Sequence, residues 1–224
     1  MKNLTGSKFK QEIQRANDIL EKLKSEYPSA SIALNYNSPF QLLISTILSA
    51  QCTDERVNKV TKTLFTKFKT PQEFVNIPEK ELEKEIFSTG FYKQKAKSIK
   101  NCCKVLIEKF DGEVPSDFDE LVSLPGVGRK TASVVAGNAY GIPAIAVDTH
   151  VIRLSNLMGF IDSDNADKIE KRLKELFPER EWIFLGHYLM NHGRKICIAR
   201  RPNCLNCAVG DLCPSFNPDL REKK

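Results

Sequence analysis

Apolar residues recur every three to four positions along almost the whole chain, and no segment alternates apolar and polar residues cleanly enough to indicate a strand. The first such pattern predicts an amphipathic helix from about Lys8 to just before Pro28. The next apolar segment, PFQLLISTILSAQ, is hydrophobic almost all round, so we expect a buried helix there. The pattern as a whole predicts an all-α protein.

Capping signals divide the chain into further helices. Ser38 and Pro39 supply an N-cap and a proline in the first helical turn, and the segment from Thr70 to Glu73 has the capping-box pattern. Later helices are predicted at about 149–158, 165–177 and 181–192, and Gly193 is expected to end the last of them.

A basic helix is predicted after Phe91 and Tyr92. Its lysines fall on one stripe at helical spacing, separate from an apolar stripe. This stripe is either an ordinary solvated face or a surface that contacts phosphate groups. Its members are Lys93, Lys97, Lys100 and Lys104.

The segment LPGVG, residues 124–128, joins two predicted helices directly. Two glycines around one small apolar residue indicate a very tight turn, because glycine alone adopts positive φ without steric cost. Such a turn points backbone N–H groups outward at a helix N-terminus, where they can bind a phosphate without reading base sequence. The alternative is a helical hairpin that uses Gly126 and Gly128 only for close packing.

Lys130 and Asp148 lie on either side of the apolar segment GIPAIAV. Lys130 is in the first turn of the predicted helix after the hairpin, where the helix dipole disfavours a cation, so it is expected to lose its proton more readily. Asp148 is at the expected start of the following helix, where an aspartate is usually an N-cap. Each residue therefore has both an ordinary interpretation and a catalytic one.

Length and charge limit the function classes. A chain of 224 residues with 34 Lys and Arg against 28 Asp and Glu is long enough for one large or two modest helical lobes, and its net charge of +6 fits a polyanionic partner. No apolar run approaches the roughly 20 residues of a membrane span, and the N-terminus lacks a signal-peptide pattern. We therefore expect a cytosolic protein with no membrane partner.

Four of the seven cysteines form the pattern C-x6-C-x2-C-x5-C, from Cys197 through Cys204 and Cys207 to Cys213. Four thiolates this close in sequence can complete a tetrahedral zinc site or hold a [4Fe–4S] cluster. The single C-x2-C differs from the paired knuckles of most zinc ribbons, which favours iron–sulfur. The other three are most simply buried small residues: Cys52, Cys102 and Cys103.

The chain resembles the endonuclease III family of helix-hairpin-helix DNA glycosylases with abasic-site (AP) lyase activity. The resemblance covers nearly its whole length: SPFQLLISTILSAQCTD, GFYKQKAKSI, EVPSDFDELVSLPGVGRKTASVV, IPAIAVDTHVIRL and HGRKICIARRPNCLNCAVGDLC, whose cysteine spacing matches the family's [4Fe–4S] motif. It implies a six-helix domain containing the hairpin at residues 32–142, and an iron–sulfur domain formed by residues 1–31 and 143–224.

The resemblance also implies an activity: excision of oxidised pyrimidines from duplex DNA, followed by strand cleavage 3′ to the lesion. Lys130 would form the Schiff base and Asp148 would assist. Gln51 would fill the space of the flipped nucleotide, and Phe91, where leucine is common, would wedge against the opposite strand. Further DNA contacts are implied for Leu124, Gly126, Val127, Gly128 and Arg129. The implied protein is a monomer in a prokaryotic cytoplasm, associated with the nucleoid, acting on duplex DNA with a damaged pyrimidine or an abasic site.

Three other functions are compatible with parts of the sequence. Mismatch-specific adenine glycosylases share the hairpin, the aspartate and the cluster, but they usually lack a lysine at position 130 and carry an extra C-terminal domain. A mismatch-directed thymine or uracil glycosylase differs only in pocket residues. A non-catalytic hairpin DNA-binding or redox-sensing protein would need neither Lys130 nor Asp148.

Overall fold

The structure is a computed structural model that describes residues 6–218, and within that range all regular secondary structure is helical. The prediction of an all-α protein is therefore confirmed. The α-helices are α1 (Gly6–Glu26), α2 (Pro39–Ser49), α3 (Asp54–Lys67), α4 (Pro71–Asn76), α5 (Glu79–Ile86), α6 (Tyr92–Phe110), α7 (Phe118–Ser123), α8 (Arg129–Tyr140), α9 (Thr149–Leu157), α10 (Ala166–Leu176) and α11 (Trp182–Lys195). Short 3-10 helices lie at Phe87–Thr89, Glu179–Glu181, Cys204–Asn206 and Gly210–Leu212.

These elements form two compact units. One contains the described parts of residues 1–31 and 145–224, and the other contains residues 32–144. The predicted boundary lay two residues earlier, after residue 142. No helix among residues 6–218 combines the length and the apolar character needed to cross a membrane.

Helix α2 is the centre of the unit at residues 32–144. Its residues from Leu42 to Leu48 are all buried, as expected for a helix that is apolar almost all round. It packs against α3, α6 and α8. Ser38 caps its first turn through a hydrogen bond from the Gln41 N–H, with Pro39 as the first helical residue. The predicted N-terminal signal is thus the one that the structure uses.

The short helix α4 is held at both ends. Thr70 and Glu73 form the predicted capping box at its start. At its end the Lys100 ammonium donates hydrogen bonds to the carbonyl oxygens of Phe74, Val75 and Ile77. Lys100 therefore does not belong to a solvated or phosphate-facing stripe. Three carbonyls left unpaired at a helix C-terminus attract its charge more strongly than solvent does.

The other unit surrounds an apolar core formed by α1, α9, α10 and α11. Helix α11 continues past Gly193 to Lys195, so the expectation that this glycine ends the helix was wrong. A Cβ atom at position 193 would lie 2.7 Å from Nδ1 of His150 and 3.1 Å from a guanidinium nitrogen of Arg153. The glycine allows α9 to approach α11 closely, and its backbone stays helical.

Candidate functional site

The hairpin between α7 and α8 is a tight turn anchored in the core. Gly126 has φ of +80°, and the Val127 N–H donates to the Leu124 carbonyl oxygen at 3.0 Å. The side chains of Leu124 and Val127 are buried, with 2% and 6% of their surface exposed. Neither side chain is therefore accessible to a ligand.

The two hairpin glycines serve different purposes. A Cβ atom at Gly126 would lie 2.7 Å from Cβ of Ser98 on α6, closer than real Cβ atoms approach, and the positive φ is a second requirement for glycine. At Gly128, φ is −91° and no atom lies within 4 Å of the added Cβ. Packing and backbone conformation within this unit therefore require a glycine at position 126. Neither of them requires a glycine at position 128.

Helix α8 begins without a side-chain cap, since its N-cap residue is Gly128. A helix N-terminus without a side-chain cap is a position at which proteins bind external acceptors such as a phosphate oxygen. Arg129 and Lys130 are exposed in this turn. The Arg129 guanidinium lies 5.0 Å from the centroid of the Phe118 ring, a cation–π contact that directs it along α7.

Gln51 and Phe91 share an unusual backbone conformation. Both are non-glycine residues in the left-handed region, with φ of 51° and 48°. Both side chains are exposed, and Phe91 exposes 66% of its surface although it is a large apolar residue. Left-handed backbone is unfavourable for residues with a Cβ and is concentrated at functional positions.

Asp148 is the N-cap of α9, as its position in the sequence predicted. Its Oδ1 atom accepts a hydrogen bond of 2.8 Å from the Val151 N–H. The residue is partly buried. This hydrogen bond fixes the carboxylate at the helix N-terminus, where the dipole stabilises a negative charge. Lys130 lies in the unit at residues 32–144, and Asp148 lies in the other unit.

The four cysteines of the C-x6-C-x2-C-x5-C pattern line one cavity of about 80 Å³, with Leu157, Met158 and Val209 among the apolar residues of its wall. All four are free thiols. Among residues 6–218, no three His, Cys, Asp or Glu side chains are arranged to hold a metal ion directly.

Two basic side chains border this cavity. Arg153 of α9 donates to the Cys197 carbonyl oxygen and lies 3.7 Å from the Cys197 sulfur. The buried His192 ring places Nε2 at 3.5 Å from the Cys207 sulfur and Nδ1 at 3.1 Å from the Tyr27 hydroxyl. Burial, aided by the charge of Arg153, lowers the pKa of His192 to about 4, so its ring is neutral at pH 7.

The cavity is also linked to the helix that carries Asp148. The Cys213 thiol donates to the carbonyl oxygen of Leu157, the last residue of α9, at 3.5 Å. Burial raises the pKa of Cys207 to about 11 and also raises that of Cys213. Burial therefore favours the protonated form of both thiols.

Three residues near these sites were not singled out from the sequence: Lys95, Arg153 and His192. Of these, Lys95 carries a recognisable signal. It lies four positions before Ile99 and seven before Cys102, on the buried stripe of α6. A lysine at an apolar stripe position indicates a buried amine with specific partners. The Arg153 and His192 contacts depend on packing between α9, α11 and the C-terminal loop, which periodicity does not describe.

Comparison with known proteins shows the family. The sequence profile of the HhH-GPD superfamily of base excision DNA repair proteins matches residues 44–179. The chain belongs to this superfamily. It is 48% identical over 203 residues to Endonuclease III of Synechocystis sp., which covers 90% of this chain and 93% of that protein. Endonuclease III of Escherichia coli is 42% identical over 196 residues, with 88% of this chain and 93% of that protein covered.

Solved structures agree with this assignment. A trapped covalent endonuclease III–DNA intermediate, an estranged-adenine complex, superposes with a TM-score of 0.90 at 45% identity, over 93% of this chain and 99% of that chain. A thermostable thymine-DNA glycosylase has a TM-score of 0.83 at 24% identity and shares the fold. The predicted resemblance to endonuclease III is confirmed.

Proposed function

We propose that this chain is a base excision repair DNA glycosylase with AP lyase activity that removes oxidised pyrimidines from duplex DNA. The observation that carries the proposal is the identity of 40–48% to several endonuclease III proteins over most of the chain, which includes both Lys130 and Asp148. Its substrate is chromosomal DNA, so we assign it to the nucleoid of a prokaryotic cytoplasm.

The hairpin and the turns that contain Gln51 and Phe91 would engage the DNA. The uncapped N-terminus of α8 offers N–H groups to a backbone phosphate, and the open space at Gly128 allows that phosphate to come close. The target nucleotide must leave the duplex before its glycosidic bond can be attacked. We assign Gln51 to the space that it vacates and Phe91 to the opposite strand, since both side chains are exposed on strained turns.

Lys130 would supply the nucleophile. Its neutral amine forms a bond to C1′ while the glycosidic bond breaks, and the base leaves with the bonding electrons and takes up a proton. Ring opening gives an imine between Nζ and C1′. Removal of a proton from C2′ then expels the 3′ phosphate by β-elimination. Asp148, fixed by the hydrogen bond from the Val151 N–H, would stabilise the positive charge that develops on the sugar or assist these proton transfers.

We infer that Cys197, Cys204, Cys207 and Cys213 hold a [4Fe–4S] cluster. The shared cavity, the free thiols and the bordering Arg153 support this assignment. Four protein thiolates complete the coordination of such a cluster, so it would stabilise the C-terminal segment against α9 rather than bind substrate.

Borohydride reduction of the imine tests the catalytic assignment. Wild type should form a covalent adduct with a duplex that carries an abasic site, and Lys130→Ala should not. Asp148→Asn is the sharper variant for the second role, because asparagine also caps helices well and Asn165 already caps α10 in this protein. We expect Asp148→Asn to keep the wild-type melting temperature and lose most of its glycosylase rate. An Asp148→Asn enzyme with wild-type rate would refute a catalytic carboxylate.

A further inference from the structure

Lys95 is a buried amine whose partners belong to two different turns. Only 5% of its surface is exposed. Its Nζ atom donates to the carbonyl oxygen of Leu48 at 2.7 Å and to that of Thr89 at 2.8 Å. One ammonium group therefore holds these two carbonyl oxygens within about twice a hydrogen-bond length of each other.

Each carbonyl lies at the base of a turn with a left-handed, exposed residue. Leu48 is in the last turn of α2, three residues before Gln51, and its carbonyl is one of those that a helix C-terminus leaves without a helical partner. Thr89 ends the 3-10 helix two residues before Phe91. Both residues are buried, so their carbonyls depend on a protein donor.

Lys100, on the same helix, shows what a purely structural contact of this kind looks like. Its ammonium also binds main-chain carbonyls, and burial lowers its pKa as it does that of Lys95. Its acceptors, however, all belong to the end of α4, where the backbone is not left-handed. Lys95 differs in joining two separate segments that each carry an exposed side chain on a strained backbone.

We propose that Lys95 is a positioning residue that fixes the turn of Gln51 against the turn of Phe91, so that both side chains enter the DNA in register. This inference rests on the proposed function, which assigns those two side chains to the flipped nucleotide's place and to the opposite strand. Lys95 itself touches neither substrate nor reacting atoms. Its ammonium acts by fixing the positions of the Leu48 and Thr89 carbonyl groups, which have no main-chain hydrogen-bond donor within residues 6–218.

The test compares Lys95→Met with Lys100→Met in the full-length protein. The duplex probe carries an abasic-site analogue opposite 2-aminopurine. The fluorescence of 2-aminopurine rises when protein side chains enter the DNA duplex and unstack this base. Melting temperature and the single-turnover lyase rate on an abasic duplex are measured alongside, well below the melting transition. Both variants should melt lower than wild type, because both leave buried carbonyls without a donor.

Only Lys95→Met should lose the fluorescence rise and slow the lyase step by about tenfold or more, as expected when a reacting geometry is displaced. Lys100→Met should stay within about twofold of wild type in both. In a Gln51→Ala, Phe91→Ala background, Lys95→Met should cost less than about twofold further, since residues that act together are not additive.

Equal losses in the two methionine variants, or a full additional loss in the double-alanine background, would show Lys95 to be merely structural. A double-alanine protein with wild-type fluorescence would overturn both the assignment of Gln51 and Phe91 and this inference. Lyase chemistry itself would still be judged by borohydride trapping at Lys130. If Lys95→Met does not fold, Lys95→Gln is compared with Lys100→Gln. The glutamine side chain is one atom shorter than that of lysine and is expected not to bridge both carbonyl oxygens, so the same criteria apply.

Discussion

Gly126→Ala and Gly128→Ala form a matched pair within one turn. At Gly126 an alanine meets a left-handed backbone, which costs about 1–2 kcal/mol, and a Cβ contact of 2.7 Å to Ser98, which adds about 1–3 kcal/mol. The sum is about 2–5 kcal/mol, a large part of the stability of an ordinary protein. For a chain of this size it corresponds to a drop in melting temperature of about 4–20 °C.

At Gly128 the methyl group enters open space on an extended backbone, so the same substitution should cost less than about 1 kcal/mol. Differential scanning calorimetry at one scan rate measures both variants. A Gly126→Ala protein that melts with wild type would refute the packing of the hairpin on α6.

The affinity of Gly128→Ala for an abasic duplex tests the role of the hairpin in DNA binding, because this substitution is expected to have little effect on stability. If a phosphate approaches the N-terminus of α8, Gly128→Ala should bind about tenfold to a hundredfold more weakly, because a charge-assisted hydrogen bond is lost or lengthened. Fluorescence anisotropy at fixed salt measures this. Wild-type affinity in Gly128→Ala would place the phosphate elsewhere.

Further predictions concern the capping box, the helix contact and the cluster. Hydrogen bonds from main-chain N–H groups lower the pKa of the Glu73 carboxyl group below 4.5. The stability that the carboxylate contributes to the fold is therefore complete above pH 4.5 and is lost as the pH falls through the folded-state pKa. The difference in melting temperature between wild type and Glu73→Gln should vanish below the folded-state pKa. Gly193→Ala should lose about 1–3 kcal/mol because its Cβ would lie 2.7 Å from a histidine ring, whereas Gly186→Ala in the same helix should be neutral or stabilising, and calorimetry that ranks them otherwise would contradict this packing. Wild type should be brown with about four irons per chain, Cys207→Ser should lose iron and Cys52→Ser should keep it; a colourless wild type holding one zinc would rule out the cluster.

Local sequence patterns were sufficient to predict the helices and where several of them begin. The all-apolar segment became the buried helix α2, and the capping signals at Ser38 and Thr70 lie where α2 and α4 begin. Asp148 was predicted as an N-cap from position alone and is one. These features depend on interactions between residues a few positions apart, so they can be predicted from the sequence.

Contacts between distant segments could not be predicted in this way. The spacing of Lys100 places it on the stripe that we expected to be solvated or to contact phosphate, although its ammonium binds carbonyls 23 to 26 residues away. Gly193 was taken for a helix terminator, because a glycine that admits a neighbouring helix has the same local appearance. Cysteine spacing predicted four ligands, yet the Arg153 contact to Cys197 spans 44 residues and depends on how α9 packs.

The most direct test of the central claim is to locate the covalent bond. Wild-type protein is reduced with borohydride on an abasic duplex, digested, and its cross-linked peptide is sequenced by mass spectrometry. The account predicts a sugar remnant on Nζ of Lys130, at the start of α8. A remnant on another lysine or on the N-terminal amine, with Lys130 unmodified, would contradict it.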